Sequence, residues 1–373
     1  MTTSIIEVRS RADVRRFIEV PHRIHRNLQS RWVSPLHVHT RAMMGRVGAD
    51  DRRFLMAMRD GEPVARIGVK RQHDALHFGF FECLRGHQEA VQALVERAQA
   101  LAPDLPMRGP YHFTLEDPYS GVLVEGFDED PYFLLPYNPP WYEAALREAG
   151  FLPVKDLHTY AIDRTSARYD KMASRAARAH ARGIEVRVMD RRRVRQEVRS
   201  IADIFENALA GNWGFEPFDA RTLGELELMA RFVPERWGVV IARRDGVDVG
   251  CMIIIPNFNE ILADAAGRLS TQLVWRYVRR HRHIHSYRGF ALGVRRDQQS
   301  AEVAAALVRH LTELGQLHPW ERFELGWVLE DNHRMAGLAL AMGARRNKTY
   351  RIFERAIHPT AIAGGLSSDP NSP

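Results

Sequence analysis

The stretch from Arg288 to Arg355 restricts the fold more than any other part of the chain. Residues 289–294 have the length and apolar character of a buried strand, and a polar turn follows them. Residues 301–317 then carry apolar side chains at helical spacing. Residues 323–330 read as a second strand, 332–342 as a second helix closed by Gly343, and 349–353 as a last strand. Strands joined through a helix of this length run parallel in one sheet, so the stretch predicts an α/β unit. Where such a strand pair splays, main-chain amides and carbonyls are exposed. The helix that follows offers its N-terminal amides to a phosphate.

The first half repeats this order. Residues 4–8 open it as a short strand, and a hairpin, 54–59 and 64–70, turns at Asp60-Gly61. A strand over 76–82 leads to an amphipathic helix over 88–101, with Ala90, Val91, Leu94, Val95 and Ala98 facing inward. A strand near 107–114, a Gly/Asp/Pro-rich excursion, a helix over 140–149 and a strand near 157–162 complete the unit. Arg85-Gly86-His87-Gln88-Glu89-Ala90 has the Arg-x-x-Gln-x-Ala spacing of Arg296-Asp297-Gln298-Gln299-Ser300-Ala301, at the same place in the order. Two copies of one fold in tandem follow, 1–163 and 164–357, with 358–373 a small polar tail expected to be disordered.

Between the copies, Tyr169, Met172, Ala176 and Ala179 share one helical face, while Arg168, Lys171, Arg175, Arg178 and Arg182 occupy the others. That pattern fits a solvated helix bridging the halves, or a phosphate contact. The second copy begins with a strand over 185–189 and a helix over 198–209. The aromatic turn Asn212-Trp213-Gly214-Phe215 comes next, then a helix near 221–232 and a hairpin turned at Asp245-Gly246. Residues 257–287 form an insertion longer than a compact α/β domain needs. Within it, 271–282 predicts a basic amphipathic helix, with Leu273, Val274, Tyr277 and Val278 on one face and Arg276, Arg279 and Arg280 opposite. Such a helix packs on the domain, lies at a membrane surface, or covers an acyl-chain groove.

A length of 373 residues with 45% hydrophobic composition suits two domains, each with its own core, and argues against a disordered or fibrous class. Cys83 and Cys251 are too few for a disulfide framework or a cysteine-based zinc site, which fits a reducing compartment. The first sixteen residues carry charge early without a continuous apolar core, so no signal peptide is expected, and no run approaches a membrane-spanning length. The expected location is cytoplasmic, with peripheral contact on the inner membrane left open. The net charge of +7 favours an anionic partner: CoA phosphates, acyl carrier protein, anionic lipid or nucleic acid. His281, His283 and His285 alternate, but they lie among the five arginines of 276–288 without a carboxylate pattern, so no metal is expected.

Several stretches carry a resemblance. They include Trp32-Val33-Ser34-Pro35-Leu36, Gly79-Phe80-Phe81-Glu82, Tyr137-Asn138-Pro139-Pro140-Trp141-Tyr142, Asn212-Trp213-Gly214-Phe215-Glu216-Pro217, Gly326-Trp327-Val328-Leu329-Glu330-Asp331-Asn332 and Lys348-Thr349-Tyr350-Arg351-Ile352-Phe353. Through them the chain resembles bacterial tandem-GNAT proteins, of the acyl-CoA N-acyltransferase fold, with similarity to bacterial ceramide synthases among them.

The resemblance implies two tandem GNAT-like α/β domains, each a mixed twisted sheet flanked by helices. It implies acyl-CoA, or acyl carrier protein, as acyl donor, no metal, and transfer to a primary amine. The favoured acceptor is a lipid amine, a sphingoid long-chain base. Val294, Arg295, Arg296, Gln298, Gln299, Ser300 and Ala301 would form the cofactor loop, although Gln299 stands where the family's central Gly belongs. Asn212, Trp213, Glu216 and Asn332 would bind the acceptor, though an aromatic turn packed on the core and a helix cap explain Trp213 and Asn332 equally well. Glu330 would be the base, with Glu324 six residues earlier expected on the same face. The family's helix Tyr would fall at Ala339, so Tyr350 on the next strand would supply the acid unless it is simply a core residue. Two alternatives remain: an acetyltransferase of a small polar amine, and a non-catalytic double module binding lipid or RNA, with nucleic acid the less favoured partner.

Overall fold

Both halves contain the expected elements in order, with two short helices (His37–Met44 and Asn259–Leu262) and a strand (Val122–Glu125) added to them. In the first, β1 (Ser4–Glu7), α1 (Arg11–His25) and α2 (His37–Met44) precede β2 (Arg52–Arg59), β3 (Glu62–Arg71), β4 (Leu76–Cys83) and α3 (Gln88–Gln99). Then come β5 (Met107–Gly109), β6 (Val122–Glu125), α4 (Tyr142–Glu148) and β7 (Leu152–Asp163), and α5 (Tyr169–Ala181) leads to the second half. There, β8 (Ile184–Val188), α6 (Val194–Leu209), α7 (Ala220–Ala230), β9 (Val239–Arg244) and β10 (Val247–Pro256) precede the insertion helices α8 (Asn259–Leu262) and α9 (Thr271–Arg280). The unit ends with β11 (Ser286–Val294), α10 (Ala301–Leu317), β12 (Arg322–Leu329), α11 (His333–Ala341) and β13 (Arg345–Arg355). This computed structural model describes residues 3–357 apart from 27, 29, 46, 48–50, 114–117, 219, 231–237, 299–300 and 318–319. The tail 358–373, expected to be disordered, lies outside the described residues.

Local chemistry explains the boundaries. Ser10 and Asp13 form a reciprocal capping box at α1. The Asn332 side chain caps α11 by accepting from the Met335 amide at 3.1 Å. β5 stops at Gly109 rather than near residue 114, because Pro110 has no amide to continue the ladder. The excursion after it contributes β6, which the sequence reading did not place.

The strand order is β1-β2-β3-β4-β5-β13-β7-β12-β11-β10-β9-β8, with β6 also paired to β13. The last strand of each half therefore joins the other half: β7 pairs with β12, and β13 pairs with β5 and β6. β7 and β13 also pair with each other, Tyr350 opposite Leu157, so the two sheets merge into one. At the seam, Lys348 Nζ contacts both carboxylate oxygens of Glu324, at 3.1 and 2.9 Å, with both side chains fully buried. Glu324 and Glu330 do not share a face. The β12 register against β7 shifts between Leu325 and Val328, and Glu330 sits exposed in the turn beyond the strand.

Candidate functional site

β11 and β12 pair in parallel from Ser286 opposite Arg322 to Gly289 opposite Leu325. Beyond that point β11 follows β10 as far as Val294, and β12 follows β7 as far as Leu329. The wedge between them opens a groove of about 690 Å³, lined by Leu292, Gly293 and Val294 of β11, Ala304 of α10, and Met335 and Leu338 of α11. Arg175 of α5 and Arg334 of α11 bring guanidinium groups to it.

The groove continues into a smaller cavity of about 150 Å³, since Asn212, Trp213, Leu329, Asn332 and Met335 line both. Phe205, Met252, Phe290 and Trp327 give the smaller cavity largely apolar walls. In β11, Ala291 pairs with Ile253 and Gly289 with Ile254, so Phe290 is the extra residue of a bulge at this cavity. Arg288 also lines it, is 2% exposed, and donates from Nε to the Gly326 carbonyl at 2.9 Å and from Nη1 to the Phe133 carbonyl at 3.0 Å. Burial pushes its guanidinium down to about 10, which still leaves a cation at neutral pH.

The first half has the same wedge, and its own residues narrow it. β4 and β5 part after His77 opposite Arg108. The chain after β5 then runs across β4, with the Tyr111 amide on the Phe78 carbonyl at 2.8 Å. A Cβ at Gly79 would lie 2.3 Å from the Tyr111 carbonyl oxygen, so only glycine permits that approach. Trp141 Nε1 donates to the Cys83 carbonyl at 3.0 Å, and the Tyr142 hydroxyl donates to Glu82, whose carboxyl is raised above its ordinary range by burial. A cavity of about 110 Å³ remains there, lined by Phe80, Phe81 and Glu82 of β4, by Pro110 and by Tyr142, and it reaches α1, where His22 Nε2 is 2.9 Å from His37 Nε2.

The residues expected from the sequence divide into two groups. Asn212, Trp213, Asn332 and Val294 come together at the groove. Trp213 is flanked by two first-half cations, Arg108 at 5.6 Å and Lys155 at 5.7 Å from the ring. Glu216 turns instead to the first half, accepting from Gln72 Nε2 at 3.1 Å. Glu330 approaches Lys155 Nζ at 3.7 Å and lines neither cavity. Tyr350 is fully buried in the central apolar cluster, with no hydrogen-bond partner for its hydroxyl among the described residues. Burial pushes that hydroxyl well above the ordinary phenol range, and it too lines neither cavity.

In the loop expected to hold the cofactor, three amides are already engaged: Arg295 on Val249, Gln298 on Arg295, and Arg296 on Asn207 Oδ1 at 2.7 Å. Ala301 begins α10, while Gln299 and Ser300 lie outside the described residues. Sequence reasoning missed Arg288 and Phe290 as lining residues, and named Arg175 only as one of five cations on a helix for which a phosphate contact was left open. Arg288 had a usable signal, a lone cation inside an apolar strand, and Arg175 was hidden among the other cations of its helix. The bulge has no signature that the sequence reading could have used.

No protein-family model matches the chain. It is 28% identical to a bacterial ceramide synthase of Caulobacter vibrioides, over 95% of this chain and 97% of that protein. A tandem GNAT protein from the clavulanic acid biosynthesis pathway superposes with a TM-score of 0.57 at 12% identity, over 96% of this chain and 99% of the other. A GCN5-related N-acetyltransferase from Sphaerobacter thermophilus gives a TM-score of 0.54 at 13% identity, over 96% of each chain. The chain thus has the tandem-GNAT fold, two acyl-CoA N-acyltransferase folds joined in one sheet, and it is similar along nearly its whole length to a bacterial ceramide synthase.

Proposed function

We propose that the protein is an N-acyltransferase that moves an acyl group from acyl-CoA to the primary amine of a sphingoid long-chain base, using the groove of its second half. The observation that carries this reading is the contrast between the halves: the β11/β12 wedge opens a groove of about 690 Å³, whereas at the β4/β5 wedge Tyr111, Trp141 and Tyr142 crowd the strands and a cavity of about 110 Å³ remains. An extended pantetheine can pair with the free edge of β11 as an added strand, and Arg175 and Arg334 suit the phosphates. The kinship with a ceramide synthase and the apolar walls of the smaller cavity favour a long-chain acceptor over a small polar one.

The bulge at Phe290 frees main-chain amide to polarise the thioester carbonyl. The amine nitrogen attacks the carbonyl carbon, the carbon–sulfur bond breaks, and the nitrogen proton ends on the departing thiolate. Attack requires a neutral amine, and the fixed positive charge of Arg288 disfavours an ammonium beside it. Among the described residues, no carboxylate lines the smaller cavity. Glu330, next to the groove-lining Asp331, can therefore relay that proton from the amine toward the thiolate only through water.

The test is a mass-spectrometric transfer assay with acetyl-CoA and palmitoyl-CoA against sphinganine, 3-oxosphinganine and a panel of small amines. The proposal expects a long-chain amide from the sphingoid amines. An acetylated small amine would replace the substrate assignment, and no product with any pair would leave a non-catalytic module.

A further inference from the structure

We propose that α9 is a lipid-docking device that seats the protein on the surface of an anionic bilayer. The inference deepens the lipid-amine reading and rests on it for its purpose, while its geometry stands alone. The sequence pattern groups Val274, Tyr277 and Val278 with Leu273 on one face and leaves open whether that face packs inward, and the structure decides it. Only Leu273 is buried, with Arg276 tethered to the Ile261 carbonyl at 3.2 Å and to Asp264 at 3.1 Å. Those anchors turn the helix so that Val274, Trp275 and Val278 face outward, 53%, 62% and 63% exposed. Leu269 just before the helix is similarly exposed, as is Val38 of α2, whose neighbour His37 donates its amide to the Gly267 carbonyl. A cluster of large apolar side chains left in water on one short insertion marks an interaction surface.

Charge identifies the partner. Arg268, Arg279, Arg280 and Arg282 are exposed around this ridge, and none of them is in an ion pair among the described residues. The Arg279 guanidinium lies 4.6 Å over the Trp275 ring, which keeps a cation at the apolar edge. A nucleic acid would use the cations and leave the valines and tryptophan in water. A second copy would bring like charges face to face. An anionic lipid surface satisfies both features, with aliphatic side chains below the headgroups, tryptophan at their level and arginines on the phosphates. No helix among the described residues is long and apolar enough to cross a membrane, so α9 lies on the surface.

The test is co-flotation of the full chain, without acyl donor, on vesicles of phosphatidylcholine with and without phosphatidylglycerol. Binding is expected only with the anionic lipid and should weaken with salt. Each cation contributes about a fivefold gain in affinity, so changing Arg279, Arg280 and Arg282 together to Ser should cost roughly a hundredfold. Trp275→Ser with Val278→Ser should lower partitioning at least about tenfold, with the thermal midpoint unchanged because both side chains already face water. Absent flotation of the parent protein, or a double variant that floats as well as the parent, would overturn the proposal. So would a concentration-dependent dimer abolished by Trp275→Ser. A protein that floats yet transfers no acyl group upholds docking and refutes only the reaction, while transfer to solubilised amines without flotation does the reverse.

Discussion

Gly337 offers a sharp test of the groove. It lies on α11 in ordinary helical conformation, lines the groove, and a Cβ added there meets no atom within 4 Å. Gly337→Ala should therefore stabilise the protein by about 0.5–1 kcal/mol, the usual gain for removing a glycine from a helix interior. Gly337→Phe returns roughly half of that gain through its poorer helix propensity, so its stability should stay within about 0.5 kcal/mol of the parent. Its ring, however, enters the space assigned to the donor. CoA affinity should fall at least about tenfold, equivalent to about 1.4 kcal/mol. Urea titration gives the stabilities and isothermal titration with CoA the affinities. A folded Gly337→Phe protein that binds CoA like the parent would refute the donor groove, and a destabilised Gly337→Ala protein would refute the open space.

Three further outcomes follow from individual side chains. Arg175→Gln should weaken CoA binding by about 1–2 kcal/mol but leave dephospho-pantetheine thioesters unaffected, since the guanidinium is assigned to phosphate; equal losses with both donors would remove that role. Arg288→Gln should move the pH at which acceptor reactivity rises upward by about one unit, because the amine loses a neighbouring cation; an unshifted profile would place Arg288 away from the amine. His25 is buried against Trp32 and held uncharged, its imidazole pushed down to about 3 by burial. The unfolded chain takes up that proton first as pH falls below about 6.5, so the stabilisation is present above that value and about 2 kcal/mol of it is gone at about pH 5. A urea midpoint that falls equally in His25→Gln and the parent would contradict this.

Much of the architecture was legible because local chemistry marked it. Residues 301–317 were expected as a helix and form α10 with those bounds, and Asn332 caps α11 as its residue type allows. Strand neighbours were not legible. Period-two apolar patterning identifies a strand without naming its partner, so nothing in 349–353 pointed to β13 lying between β5 and β7. The site was half legible for a related reason. Asn212, Trp213 and Asn332 were expected and meet at the groove, whereas the phase shift in β12 turned Glu330 away toward Lys155. The bulge at Phe290 and the inward course of Arg288 arise from register, which one sequence does not display.

The measurement that tests the account most directly is hydrogen exchange of the full chain with and without a non-transferable palmitoyl-CoA thioether. The account predicts new protection along residues 290–294 of β11 and in α10 and α11, with β4, α3 and α4 unchanged. Protection centred on β4 and α4, or none in the β11/β12 wedge, would contradict the assignment of the donor to the second half.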